Sequence, residues 1–151
     1  MLTEIIKDLQ KERNPKQAKL LQGFFKTGKG EYGEGDVFLG IKVPVTRGIV
    51  KKYVGMNFKN IEMLLKSKVH EYRLAGLLIL VDKFKQGDER ERGNIYNFYL
   101  ENSDRVNNWD LVDLTAHKIV GEFLKDKRRE KLYGLAEAKN LWEKRIAIIS
   151  C

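Results

Sequence analysis

The sequence predicts an all-α protein, arranged as an α-solenoid of stacked helical hairpins. Apolar residues recur at helical spacing along most of the chain, and no segment alternates convincingly between apolar and polar residues as a strand would. A weak internal repeat opens three helices with a charged residue two or three positions before an alanine, at Arg73, Asp113 and Arg145. The spacings of 40 and 32 residues match a helix-pair repeat, so stacked hairpins would align these three side chains in one row.

The first half of the chain predicts four helices. A short amphipathic helix carries Leu2, Ile5, Ile6 and Leu9 on one face. Both prolines of the chain stand where a helix would begin, because proline is favoured at the first helical position. The second and third helices therefore begin near Asn14-Pro15 and Val43-Pro44, and Asn57 can cap the fourth.

A glycine-rich segment, Thr27 to Gly40, separates the second helix from the third. Its five glycines are Gly28, Gly30, Gly33, Gly35 and Gly40. Such density predicts an irregular loop with positive φ angles or close backbone approaches. The loop is long for a plain connector, which favours a functional role. It is not a phosphate-binding P-loop, since its Gly28-Lys29 pair lacks the following Ser or Thr and the preceding strand.

The second half predicts longer helices with clear start signals. One runs from about Val69 to Phe84 and is rich in Leu and Ile. Asp88 with Glu91 forms a candidate capping box for the next helix. A helix that begins at Trp109 extends to about Leu124, and a further helix lies near residues 128–138. Asn140 with Glu143 opens the last helix.

Composition limits the function classes that fit this chain. A length of 151 residues indicates one domain, residues 1–151, and a net charge of +8 favours a polyanionic partner such as nucleic acid. The sole cysteine, Cys151, fits a reducing compartment, and His70 and His117 have no zinc-binding spacing. With no signal-peptide pattern at Met1–Lys7 and no apolar run of membrane-spanning length, we expect a cytoplasmic protein.

The segment from Asn107 to Asp113 carries the strongest chemical signal. Asn107 or Asn108 can cap a helix whose first turns hold Trp109 and Asp113. These two residues are four apart, so they share one helix face. An aromatic ring beside a carboxylate can serve a cationic or π-faced ligand. The alternative is structural, with Trp109 in the core and Asp113 in an inter-repeat salt-bridge ladder between Arg73 and Arg145.

Several motifs, in order, resemble those of the DNA alkylation repair family, the HEAT-like-repeat DNA glycosylases of the AlkD type. These motifs are Phe24–Asp36, Phe38–Pro44, Glu71-Tyr72-Arg73 and Asn107–Asp113. The resemblance implies a HEAT-like solenoid with a basic concave groove for duplex DNA. It implies hydrolysis of the N-glycosidic bond of cationic alkylpurines such as 3-methyladenine and 7-methylguanine, in base excision repair, with no metal and no organic cofactor.

The resemblance also assigns roles to individual residues. The catalytic aspartate of the family falls on Asp113, its paired tryptophan on Trp109 and its groove arginine on Arg145. For contact with the DNA we expect a set around the glycine-rich loop and the helices near it: Tyr32, Lys29, Lys42, Arg47, Lys51 and Arg73. The structural alternative for these cations is a solvated face.

Three functions compete at this point. The first is the glycosylase, the second is a non-catalytic binder of damaged or branched DNA, and the third is a HEAT-like scaffold that binds protein. Because family members continue past the last residue of this chain, we expect its C-terminal repeats to be missing. We expect a monomer, with a dimer through Ile146, Ile148 and Ile149 as the alternative.

Overall fold

The computed structural model describes all residues from 1 to 151, and it is helical, which confirms the all-α prediction. The only β pairing is an isolated parallel bridge between Val37 and Val69. The chain divides into two compact units, Met1–Leu80 and Val81–Cys151, and the division falls inside one helix. The HEAT-like repeat arrangement, the basic concave face and the single domain over 1–151 stay predictions.

The first unit contains four complete helices and the start of a fifth. They are α1 (Leu2–Lys11), α2 (Pro15–Phe24), α3 (Val43–Val50) followed by a 3₁₀ turn (Lys51–Tyr53), α4 (Phe58–Leu65) and α5 (His70–Gln86). Two of the predicted caps are confirmed. The Gln17 amide donates to Asn14 Oδ1 over 3.1 Å, and the Asn60 amide donates to Asn57 Oδ1 over 2.9 Å.

The core of the first unit forms where the apolar faces of these helices meet. Its fully buried side chains include Ile5, Leu9, Met56, Ile61, Leu64, Leu65, Leu74 and Leu77. A polar contact ties α1 to the 3₁₀ turn, because the Tyr53 hydroxyl donates to Asp8 Oδ2 over 2.7 Å. This hydrogen bond raises the pKa of Tyr53 to about 12 and lowers the pKa of Asp8.

The second unit holds the end of α5 and the remaining helices. These are α6 (Glu89–Glu101), a 3₁₀ turn (Ser103–Arg105), α7 (Trp109–Ala116), a π-helical turn (His117–Gly121), α8 (Glu122–Leu124), α9 (Glu130–Ala136) and α10 (Leu141–Ile149). The predicted capping box is confirmed: Asp88 and Glu91 each accept a 2.9 Å hydrogen bond from the other's backbone amide. Asn140 Oδ1 accepts from the Trp142 amide at 2.8 Å.

The predicted Trp109–Leu124 helix is interrupted by the π-helical turn at His117–Gly121, which the apolar spacing did not indicate.

Before this turn, the Tyr99 hydroxyl hydrogen-bonds Thr115 Oγ1 at 2.8 Å, and Thr115 donates to the Leu111 carbonyl. Burial raises the pKa of Tyr99. The fully buried Tyr99 of α6 is therefore linked to Thr115 of α7 by a hydrogen bond between two neutral hydroxyl groups.

None of the helices is both long enough and apolar enough to cross a membrane.

Candidate functional site

The N-terminus of α7 presents the predicted aromatic and carboxylate residues. Asn108 is fully buried and caps α7, since its Oδ1 accepts from the Trp109 amide at 2.9 Å. Trp109 is the first residue of α7, and Asp113 follows one turn later. Both side chains are half-buried, so each is reachable from solvent while resting against protein.

Asp113 is held by Arg145 of α10, which packs against α7. Arg145 Nε donates to Asp113 Oδ1 and Nη2 donates to Oδ2, both over 2.7 Å. The side chain of Asp113 keeps 32% of its surface exposed and that of Arg145 keeps 40%, so solvent screens part of the attraction. These hydrogen bonds raise the pKa of Arg145, which keeps its guanidinium charged.

A second contact fixes the start of α10 within the same unit. The Ser103 hydroxyl donates to Glu143 Oε1 over 3.0 Å, which links α10 to the 3₁₀ turn that precedes α7. The sequence suggested Glu143 only as part of the start signal of this helix. The contact to a residue 40 positions earlier has no local signal. It restrains the helix from which Arg145 reaches Asp113.

His117 lies four residues after Asp113, just past the end of α7. It begins the π-helical turn, and its side chain is exposed. Asp113 takes its side-chain hydrogen bonds from Arg145 of α10.

Arg73, a predicted DNA contact, is buried inside the first unit. Its Nη2 donates to Asp36 Oδ2 over 2.7 Å, and its Nη1 donates to the Ser67 carbonyl over 2.8 Å. The side chain of Arg73 is 4% exposed and that of Asp36 is 5% exposed. A buried, paired guanidinium favours a structural role, in place of a contact to a phosphate on the surface. Of the predicted row of Arg73, Asp113 and Arg145, the structure shows the contact between Asp113 and Arg145.

Glu71 is a residue whose role sequence reasoning missed. Its carboxylate accepts hydrogen bonds from three consecutive backbone amides, of Leu39, Gly40 and Ile41, at 2.9, 2.8 and 3.1 Å. Glu71 is 1% exposed, so these amides satisfy a buried charge and anchor the end of the glycine-rich loop to α5. The available signal was its place in Glu71-Tyr72-Arg73, where both charged residues turn out to hold the loop.

The glycine-rich loop has the backbone that its composition predicted. Gly30, Gly35 and Gly40 have positive φ angles of 78°, 82° and 85°. At Gly40 a side chain would also collide, because an added Cβ would lie 2.1 Å from the carbonyl oxygen of Asn14. The end of the loop therefore lies against the start of α2 in a way that only glycine permits.

The other predicted DNA contacts lie on the surface of the first unit. Lys29, Lys42, Arg47 and Lys51 are exposed, and Tyr32 is 37% exposed. Surface cations of this kind suit phosphate contacts, although each also fits a solvated face. Their roles in binding stay predictions.

No group of three or more His, Cys, Asp or Glu side chains is arranged to hold a metal ion. The chemistry that the α7 site offers is that of one carboxylate, one guanidinium and one indole ring.

The family model described as DNA alkylation repair enzyme matches residues 5–151. No curated protein matches the chain.

Proposed function

This chain belongs to the DNA alkylation repair enzyme family, and from that premise we propose that it is a DNA glycosylase of base excision repair. The match covers nearly the whole chain, so the family resemblance found in its motifs is confirmed. The proposed reaction hydrolyses the N-glycosidic bond of cationic alkylated purines in duplex DNA, with 3-methyladenine and 7-methylguanine as substrates. The observation that carries the proposal is the solvent-reachable carboxylate of Asp113, which Arg145 holds one helical turn after Trp109 in α7.

A cationic purine needs little help to leave, because its departure neutralises its own charge. The barrier then lies mostly in the positive charge that develops on the sugar. A fixed carboxylate stabilises such a charge and can orient the attacking water. In the proposed mechanism Asp113 performs both tasks, and the ring of Trp109 contacts the deoxyribose or the cationic base through its π-face.

Arg145 has two tasks in this proposal. Through Nε and Nη2 it holds the Asp113 carboxylate in one orientation. The remaining N–H donors of the guanidinium can bind a phosphate oxygen of the DNA backbone. Because its pKa is raised by Asp113, the group stays charged across the working pH range. Any pH dependence of base release must therefore come from another group.

The decisive experiment compares base release from methylated duplex DNA by the wild-type chain and by Asp113→Asn. We expect release of 7-methylguanine and 3-methyladenine to fall by at least roughly 100-fold in the variant, with duplex binding retained. Asn keeps an acceptor for Arg145, so the contact between α7 and α10 survives. Asp104→Asn is the matched control, since Asp104 is an exposed carboxylate of the same unit. Equal release by wild type and Asp113→Asn would refute the catalytic role.

A second function is favoured by one observation: both oxygens of Asp113 are engaged by Arg145. A carboxylate used in this way can simply join two helices, as it would in a non-catalytic binder of damaged DNA. Duplex binding without any base release by the wild-type chain is the result that this alternative requires. A chain that bound no duplex would instead favour a HEAT-like scaffold for protein.

A further inference from the structure

We propose that α2 and the start of the glycine-rich loop bind nucleic acid that contains unpaired bases, with Phe24 as the ring on which a base stacks. This inference goes beyond base release. It involves neither Asp113 nor Arg145, and its ligand is a single strand or a frayed segment instead of an alkylated base pair.

The first support is the way in which Phe24 is exposed. Its side chain keeps 63% of its surface in solvent, although it is a large apolar residue at the end of a helix. Its ring meets Phe25 edge to face, with centroids 5.1 Å apart and an interplanar angle of 87°. Phe25 is buried and stacks on Phe38 at 5.2 Å and on His70 at 5.3 Å. The exposed ring of Phe24 therefore rests on a cluster of packed aromatic side chains.

The second support is the shape of the surface beside that ring. Leu20 lies one helical turn before Phe24 and is 69% exposed, so the two side chains are neighbours on one face. Between them is Gly23, where an added Cβ would meet no atom within 4 Å. The helix thus offers an open apolar strip on which a planar base could lie against Phe24.

The third support is charge. Residues 15–30 contain no Asp or Glu and include Lys16, Lys19, Lys26 and Lys29. All four lysines are exposed, and they flank the apolar strip along the chain on both sides. This arrangement complements a strand of phosphates that passes over an aromatic contact.

The apolar centre favours unpaired bases over intact duplex. In a duplex the faces of the bases are covered by stacking on their neighbours, so a surface aromatic ring finds no partner there. An unpaired base offers its π-face, and stacking on an aromatic side chain tolerates every base type. Lysines alone would bind either form through the phosphates.

The probe for the test is an oligothymidylate of about fifteen nucleotides that carries one fluorescent 2-aminopurine. Binding is followed by anisotropy, and stacking by quenching of the 2-aminopurine. We expect Phe24→Leu, which keeps apolar bulk without a π-face, to weaken binding roughly 5-fold or more and to abolish the quenching. Phe24→Tyr should restore both. Ile148→Ala is the control, because Ile148 is 71% exposed and stands in the other unit.

The lysines are tested by Lys16→Ser combined with Lys19→Ser, which should reduce the salt dependence of binding while the bound state still quenches. Phe24→Leu with unchanged affinity and quenching would overturn the proposal, as would a wild-type chain that binds no single strand. Base release from methylated duplex is measured in parallel. Loss of release in Asp113→Asn with normal oligothymidylate binding would leave both proposals standing, so each can fail without the other.

Discussion

At the scale of single residues, a small number of hydrogen bonds hold the functional groups of the site. The Asp113 carboxylate is oriented by two hydrogen bonds from one guanidinium, and Trp109 is positioned by the cap that Asn108 provides. The repeat spacing predicted that Asp113 and Arg145 belong together, because residues 32 apart can face each other on successive helices. The same spacing placed Arg73 in this row, and it could not reveal that Arg73 pairs with Asp36 in the interior, since burial depends on the surrounding fold.

Replacing Gly40 by alanine adds a single methyl group but should lower the free energy of unfolding strongly. Gly40→Ala forces a side chain into a positive φ of 85° and to within 2.1 Å of the Asn14 carbonyl oxygen. We expect a loss of roughly 3 kcal/mol or more in the free energy of unfolding, measured by urea titration.

The matched control for that measurement is Gly23→Ala. Gly23 lies in α2, and an added Cβ meets nothing within 4 Å. This variant should be neutral or more stable by up to about 1 kcal/mol, because alanine has the higher helix propensity. If the two variants lost stability equally, the close approach at Gly40 would not be the cause.

At the scale of elements, local signals predicted more than non-local ones. Asn14, Asn57 and the Asp88–Glu91 box lie within three residues of the amides they cap, so the sequence alone revealed those helix starts. Glu71 caps amides 30 to 32 residues earlier in the chain, and no local pattern indicates that contact. The π-helical turn at His117–Gly121 was likewise not indicated, because the apolar spacing continues through it as it would in an uninterrupted α-helix.

The contact between α1 and the 3₁₀ turn predicts a pH-dependent stability. Asp8 has a lowered pKa, so its contribution is present above its ordinary value of about 3.9 and is lost as the pH falls through the lowered value. The pKa of Tyr53 is raised to about 12, so its contribution is present below about pH 10 and is lost as the pH rises through 12.

Tyr53→Phe removes this contact and should lower the melting temperature most between those limits. The difference from wild type should shrink toward both acid and strongly alkaline pH, as followed by circular dichroism. Tyr133→Phe serves as the control, because Tyr133 is 72% exposed. A Tyr53→Phe deficit that did not vary with pH would show that the stabilisation does not depend on the charge of Asp8.

At the scale of the whole molecule, the net charge of +8 determines how the chain should respond to salt. The slope of log binding constant against log salt concentration for duplex DNA counts the phosphates that are neutralised. Replacing Lys42, Arg47 or Lys51 by Met should each reduce the magnitude of that slope by about 0.9 if the residue contacts a phosphate.

Two comparisons make the salt experiment specific. Lys66→Met is the control, because Lys66 is exposed but paired with Glu62 at 2.9 Å and is not among the predicted contacts. Arg73→Met should destabilise the fold without changing the slope for the folded protein, since its charge is paired and buried. A reduced slope in the folded Arg73 variant would return that residue to the DNA-binding set.

Because Glu71 anchors one end of the glycine-rich loop, the backbone amides of the loop fall into two classes that should exchange with solvent at different rates. The amides of Leu39, Gly40 and Ile41 are held by a buried carboxylate, so their exchange with solvent deuterium requires the loop to separate from α5. The amides of Gly28 and Gly30 are held by the carboxylates of Glu31 and Glu34 on the surface. Hydrogen exchange should therefore be slow at the end of the loop and fast at its tip, which leaves the tip free to adapt to a ligand while its end keeps its place.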